Sequence, residues 1–208
     1  MAHAPDAAGA ASAVLSVVEP ISSGLGGGGF FLLHDAKTGK DIFIDAREIA
    51  PAAATQAAYL DAKGEFNRDR ATNGAWSAGI PGLPAGLVHL ASNHGRLPLK
   101  TSLAPAIRIA REGFPVYARL ANGYAARREV MERYKGTKGV FLADGDAPEE
   151  GEILLQPDLA RTLELLAEKG FDGFYRGPLA KKLLAGVKAE SGRWTADELA
   201  AYRVRVRE

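Results

Sequence analysis

Five glycines fall within the six residues Gly24-Leu25-Gly26-Gly27-Gly28-Gly29, and nothing else in the chain limits its fold so tightly. A backbone this bare turns sharply and lets other main chain come into contact, because no Cβ stands in the way. Its flanks fix its context. Asp6 to Val18 is rich in alanine and other small residues and reads as a buried helix, stopped at Glu19-Pro20. After the glycines, Phe30-Phe31-Leu32-Leu33 is an unbroken apolar run. It predicts a strand covered on both faces. Lys37 to Lys40 is a turn in which Gly39 takes positive φ, and Ile42-Phe43-Ile44 returns as the second strand of a hairpin. Arg47-Glu48 follows, placing a cation and an anion where a buried strand runs out. The residues allow two readings. Either the loop and Arg47 border a pocket for a small ligand, or the loop is a tight turn beside a surface ion pair of little energetic weight.

Gly24, Gly26 and Gly29 spell the dinucleotide fingerprint GxGxxG. That motif follows a strand and opens a helix, whose N-terminus holds a pyrophosphate. Here it follows a helix and opens a strand, so the nucleotide reading is dropped. A formal net charge of +1 gives no electrostatic drive toward nucleic acid or anionic membranes. The absence of cysteine excludes disulfides, zinc-thiolate sites and a thiol nucleophile. No apolar run approaches the roughly 20 residues of a membrane span, and the first residues lack the basic stretch of a signal peptide. His89 and His94 lie five apart, the wrong spacing for two metal ligands on one helical face. Neither a metal nor a cofactor is expected, and no G-x-S-x-G elbow occurs.

The rest of the chain is punctuated like a largely helical α+β protein. Ala52 to Leu60 predicts a short helix, and Asp61 to Gly79 a mobile connection. Pro84 marks a helix start, with Gly95 just past its end. A helix from Leu99 to Glu112 is expected to be bent or reset at Pro105 and closed by Gly113. Tyr117 to Arg133 has helical spacing, with Arg127, Arg128, Glu129, Glu132 and Arg133 as a solvated charged face. Gly136 to Gly139 and the acidic stretch Asp144 to Glu152 read as loops, and the latter does not match a calcium-binding EF-hand loop. Pro157 and Pro178 open two helices closed by Gly170 and Gly192, and Thr195 with Glu198 forms a capping box for a third. Tyr202 to Glu208 alternates like one face of a strand, with no partner strand following it.

EPISSGLGGGGF, then DAREIAPAAAT, resembles the large subunit of the γ-glutamyltranspeptidases, also called glutathione hydrolases. The resemblance continues in order through Gly79-Ile80-Pro81-Gly82, Leu103-Ala104-Pro105-Ala106-Ile107 and Ala110-Arg111-Glu112-Gly113-Phe114. It persists in Gln156-Pro157-Asp158-Leu159-Ala160, Phe174-Tyr175-Arg176-Gly177 and Asp197 to Tyr202, and so covers essentially the whole chain. It implies part of the αββα sandwich of the N-terminal-nucleophile hydrolases. It further implies that residues 1–208 are a partial large-subunit lobe, truncated at both ends. The family's nucleophile is a threonine that begins the small subunit, and its own α-amine is the base. None of Thr38, Thr55, Thr72, Thr101, Thr137, Thr162 and Thr195 lies in that context, so no catalytic residue is expected in this chain and alone it should be inactive.

What the resemblance does carry over is Arg47, which matches the arginine that grips the α-carboxylate of the γ-glutamyl group. A guanidinium forks onto a carboxylate through two parallel hydrogen bonds, which suits that task. Glu48 is a weaker ligand candidate that holds or neutralises part of the strand-end network. Gly26, Gly27, Gly28 and Gly29 are expected as scaffold beside the pocket. Ala46 stands where the family has an aromatic residue, which loosens one wall. The expected substrate is a glutathione-like γ-glutamyl compound, and the expected partner is a small subunit from the same precursor or a separate chain. Relatives are often exported, but the compartment is left open. A cephalosporin or glutaryl acylase of the same fold is one alternative, and a non-catalytic remnant or binding protein is another.

Overall fold

The structure, a computed structural model, describes residues 3–142 and 145–207. Helix α1 (Ala4–Val18) leads through the glycine-rich loop into the hairpin of β1 (Gly29–Asp35) and β2 (Lys40–Ala46). Gly39 takes φ +68° in the turn, as expected. A short 3-10 turn (Gln56–Tyr59) and α2 (Arg68–Thr72) follow, then α3 (Leu83–Asn93) and α4 (Leu99–Glu112). Strand β3 (Phe114–Pro115), α5 (Ala118–Glu132), α6 (Lys135–Phe141) and β4 (Ile153–Leu154) form the next section. Helices α7 (Pro157–Lys169), α8 (Phe171–Tyr175), α9 (Gly177–Ala189) and α10 (Ala196–Ala201) lead to β5 (Arg205–Arg207). The architecture is α+β and largely helical.

The sheet is antiparallel in the order β1-β2-β5, and β3 pairs separately with β4. The final strand finds its partner earlier in the chain: Ile44 opposes Val206. The residues that pair with it lie some hundred and sixty positions earlier, where no local pattern points to them. One face of the sheet lies on α3 at close range. A Cβ on Gly86 would sit 2.6 Å from Ala46 Cβ and 3.1 Å from the Phe31 ring, so this glycine lets helix and sheet approach. Beneath, α4 packs between α1 and α7 around Ala13, Val17, Leu103, Ala106, Ala110, Leu163 and Leu166, all buried.

The other sheet face corrects an expectation. β1 is not covered on both sides: Phe30 is 52% and Leu32 74% exposed, while Phe31 and Leu33 turn inward. Successive strand residues face opposite ways, and among the described residues no layer lies over the outer one. Two further corrections concern the loops. Gly136 to Gly139 lies within α6, because the Phe141 ring packs at a tilt 5.3 Å from Tyr124 and Leu142 is buried. Packing outweighs the poor helix propensity of the two glycines. Asp61 to Gly79 is tied down along its length. Asn67 caps α2, Arg133 Nη1 donates to both carboxylate oxygens of Asp69 at 3.0 and 3.1 Å, and the Trp194 indole donates to Ala78 O at 3.2 Å. Ala52 to Leu60 contains only the 3-10 turn, and α4 runs unbroken through Pro105. Asp144 lies outside the described residues.

One buried charge fixes the first helix. Asp6 is 4% exposed, and its Oδ1 accepts from the main-chain nitrogens of Arg96 and Leu97 at 3.0 and 3.1 Å. Oδ2 accepts from His3 N at 3.1 Å. Burial works to raise the carboxyl pKa, but the hydrogen bonds from Leu97, His3 and Arg96 outweigh it and hold Asp6 below its ordinary value.

Candidate functional site

The glycine-rich loop and the end of β2 enclose an open hollow of about 480 Å³. Its lining includes Gly26, Gly27, Gly28, Gly29, Arg47 and Glu48, so every residue singled out in the sequence reaches one place. Pro20, Ile21, Ser22, Ser23, Gly24 and Phe30 complete it.

The glycines are not interchangeable. None of Gly26 to Gly29 takes positive φ, so the loop needs them for closeness rather than for left-handed backbone. Gly24 and Gly26 face open space. Gly28 is the demanding position: a Cβ there would overlap Glu48 Oε2, and would lie 2.5 Å from Glu48 N and 2.7 Å from Arg47 Cα. Gly82 presses on the same main chain, where a Cβ would overlap Ala46 O and lie 2.7 Å from Arg47 O. Gly27 O links the two by accepting from Gly82 N at 2.8 Å and Leu83 N at 3.0 Å, at the first turn of α3. Arg47 thus sits between two glycine contacts that are locked together.

The Arg47 side chain leans out from this clamp and is 62% exposed. Its Nε lies 3.2 Å from Glu48 Oε1, and its guanidinium carbon lies 5.9 Å from the centre of the Phe30 ring. Among the described residues, the hydrogen bonds to the guanidinium run through Nε. The two terminal nitrogens can together present parallel N–H donors to a carboxylate. Ala46 does not shape this hollow. It is fully buried and turned toward Gly86, which corrects the expectation that it loosens a wall.

Two contributors escaped the sequence reading. In the sequence Gly82 stands only within a longer motif, and Tyr202 only at the start of a strand-like alternation. The Tyr202 hydroxyl donates to Arg47 O at 2.8 Å from 155 residues away. Burial, reinforced by the Asp45 and Glu48 carboxylates, pushes its pKa up to about 12, so it is a standing donor. No local signal marks that contact.

Elsewhere several charged groups have polar partners of their own. His34 lies 2.8 Å from Asp41 at the exposed hairpin. Arg128 meets Asp146 at 3.0 Å and Glu132 at 3.2 Å, and Arg127 donates to Asn73 at 2.6 Å. Among the described residues, no three metal-binding side chains converge, and no helix is long and apolar enough to cross a membrane.

Comparison with solved proteins places this fold, a β-hairpin edged by a bare glycine loop and backed by packed helices, among the N-terminal-nucleophile hydrolases. Over its full length the chain superposes on a γ-glutamyltranspeptidase from Helicobacter pylori with a TM-score of 0.95 and 34% identity, covering 59% of that chain. It also superposes over its full length on a cephalosporin acylase from Bacillus halodurans, with a TM-score of 0.89 and 35% identity, covering 39% of that chain. Glutathione hydrolase 3 of Arabidopsis thaliana is 38% identical over 204 residues, which is 98% of this chain and 31% of that protein. The sequence profile described as Gamma-glutamyltranspeptidase matches residues 2–208, and the chain belongs to the γ-glutamyltranspeptidase family. It spans about a third of the length of the curated relatives it matches.

Proposed function

We propose that this chain is a large-subunit portion of an enzyme that cleaves γ-glutamyl amides, and that it supplies the α-carboxylate-binding part of the site. The observation that carries the reading is Arg47: a guanidinium held by its main chain between Gly28 and Gly82 and projecting at the edge of an open hollow. The forked contact selects a carboxylate and sets its orientation, which holds the γ-carbonyl in line for attack. Glu48 holds the guanidinium through Nε, and Gly26 to Gly29 give the substrate a wall without side chains.

The nucleophile comes from elsewhere. No threonine lines the hollow, and the family's chemistry needs an N-terminal threonine whose α-amine takes the proton. A small subunit, from the same precursor or a separate chain, supplies that threonine and the oxyanion donors. The threonine hydroxyl attacks the γ-carbonyl, the amide C–N bond breaks as the α-amine hands its proton to the departing amine, and the resulting γ-glutamyl ester passes its acyl group to water or an amino acid. Glutathione is the model substrate. By itself the 208-residue chain is expected to be inactive.

The likeness to a cephalosporin acylase supports a second reading, in which the same arginine holds the terminal carboxylate of a glutaryl group. Hydrolysis of γ-glutamyl and glutaryl anilides, by the chain alone and with its small subunit, separates the two. We expect turnover only in the mixture and only of the γ-glutamyl compound. A preference for the glutaryl compound identifies an acylase, turnover by the purified chain alone refutes the division of labour, and silence throughout favours a non-catalytic remnant.

A further inference from the structure

Helix α10 grips the main chain that carries Arg47 at two points. At one end the Tyr202 hydroxyl donates to Arg47 O at 2.8 Å, and at the other Glu198 Oε1 accepts from Ala52 N at 2.6 Å. Between them, Ile49 and Ile80 exchange main-chain hydrogen bonds of 3.2 and 2.8 Å. Both gripping residues are themselves fixed. Glu198 Oε2 accepts from Thr195 N and Thr195 Oγ1 at 2.8 Å each, closing the capping box of α10. Tyr202 is 2% exposed and lies parallel to Tyr175, with ring centres 5.6 Å apart. The Tyr175 hydroxyl donates to Pro81 O at 2.7 Å and accepts from Ala85 N at 3.2 Å. The stacked pair therefore holds both main-chain segments that cross at Gly82.

We propose that Tyr202 and Glu198 are positioning residues for Arg47: they clamp the main chain from Arg47 to Ala52 so that the guanidinium fork is preset for an incoming carboxylate. This rests on the proposed role of Arg47. A long side chain inherits every rotation of the backbone beneath it, and a rotation that takes one prong of the fork out of reach weakens its hold on the carboxylate. One grip leaves the segment free to pivot, whereas two grips with the Ile49–Ile80 bridge between them do not.

The test uses the two-subunit enzyme that contains this chain, with Tyr202→Phe, Arg47→Lys and the double variant, and a γ-glutamyl anilide as substrate. Tyr202→Phe keeps the ring stack and removes only the donor. The expected result is a KM raised roughly fivefold to tenfold with kcat little changed. In the Arg47→Lys background the same change has no further effect, because there is no longer a fork to position. If Arg47→Lys raises KM while Tyr202→Phe leaves it unchanged, the positioning role is overturned and the role of Arg47 survives. Effects that multiply in full in the double variant, or a loss confined to kcat, overturn it as well. An unchanged KM in Arg47→Lys removes the role of Arg47 itself.

Discussion

At the scale of single residues, the site depends on what stands on either side of Arg47. Lysine in its place keeps the positive charge but replaces a planar fork by a point. In the two-subunit enzyme, Arg47→Lys is expected to raise KM for a γ-glutamyl anilide roughly tenfold and Arg47→Ala roughly a hundredfold, with smaller changes in kcat. Steady-state kinetics at saturating acceptor checks this, and equal KM values for both variants and the native enzyme would show that the carboxylate is held elsewhere. Gly28 makes a different demand. Alanine there brings no φ strain, but its methyl group runs into the Glu48 carboxylate and the Arg47 main chain. Gly28→Ala should cost about 1–3 kcal/mol of stability, whereas Gly26→Ala, which faces open space, should cost little. Urea melts of the two variants side by side measure the contrast.

At the scale of elements, the sequence was legible wherever a helix carried its own punctuation. Gly113 ends α4, Pro157 opens α7, Gly170 closes it, and Thr195 and Glu198 cap α10 as read from the residues. Elements held by contact rather than by local signals were not legible: α6 contains two glycines and rests on the Phe141–Tyr124 pair, and α8 follows directly after Gly170. The apolar run of β1 concealed which of its faces is covered, since Phe30 and Leu32 look as buried in sequence as Phe31 and Leu33. The site divides in the same way. Arg47, Glu48 and the glycine loop are neighbours in sequence, whereas Gly82 and Tyr202 arrive from distant elements. Asp6 shows such a distant tie at the level of stability, because it joins α1 to the turn between α3 and α4. Its pKa is lower when folded than its ordinary value of 3.8. The stabilisation is therefore complete above that value and is lost as the pH falls through it toward the folded pKa. Asp6→Asn should flatten this acid limb of the stability profile and lower stability at neutral pH. Melts from pH 7 to pH 2 test it, and parallel profiles for the two proteins would refute it.

At the scale of the whole molecule, the sheet is finished on one side only. The register sets Leu32 opposite Phe43 and Phe30 opposite Asp45 on the outer face. Phe30 and Phe43 stack there at 5.3 Å, and Arg207 lies 5.7 Å over the Phe43 ring. An apolar cluster of this kind, rimmed by charges, marks an interaction surface, and it adjoins the hollow through Phe30. A catalytic subunit that seats on this face covers the apolar cluster and approaches Arg47 in the same movement. Leu32 separates this idea from an effect on folding, since it is 74% exposed and its replacement removes little packing within the chain. Leu32→Lys is expected to leave the circular dichroism and melting of the isolated chain nearly unchanged, while weakening its association with the small subunit by tenfold or more. Sedimentation velocity of mixtures at several concentrations measures that association. If Leu32→Lys binds as tightly as the native chain, the outer face of the sheet is not where a second subunit sits.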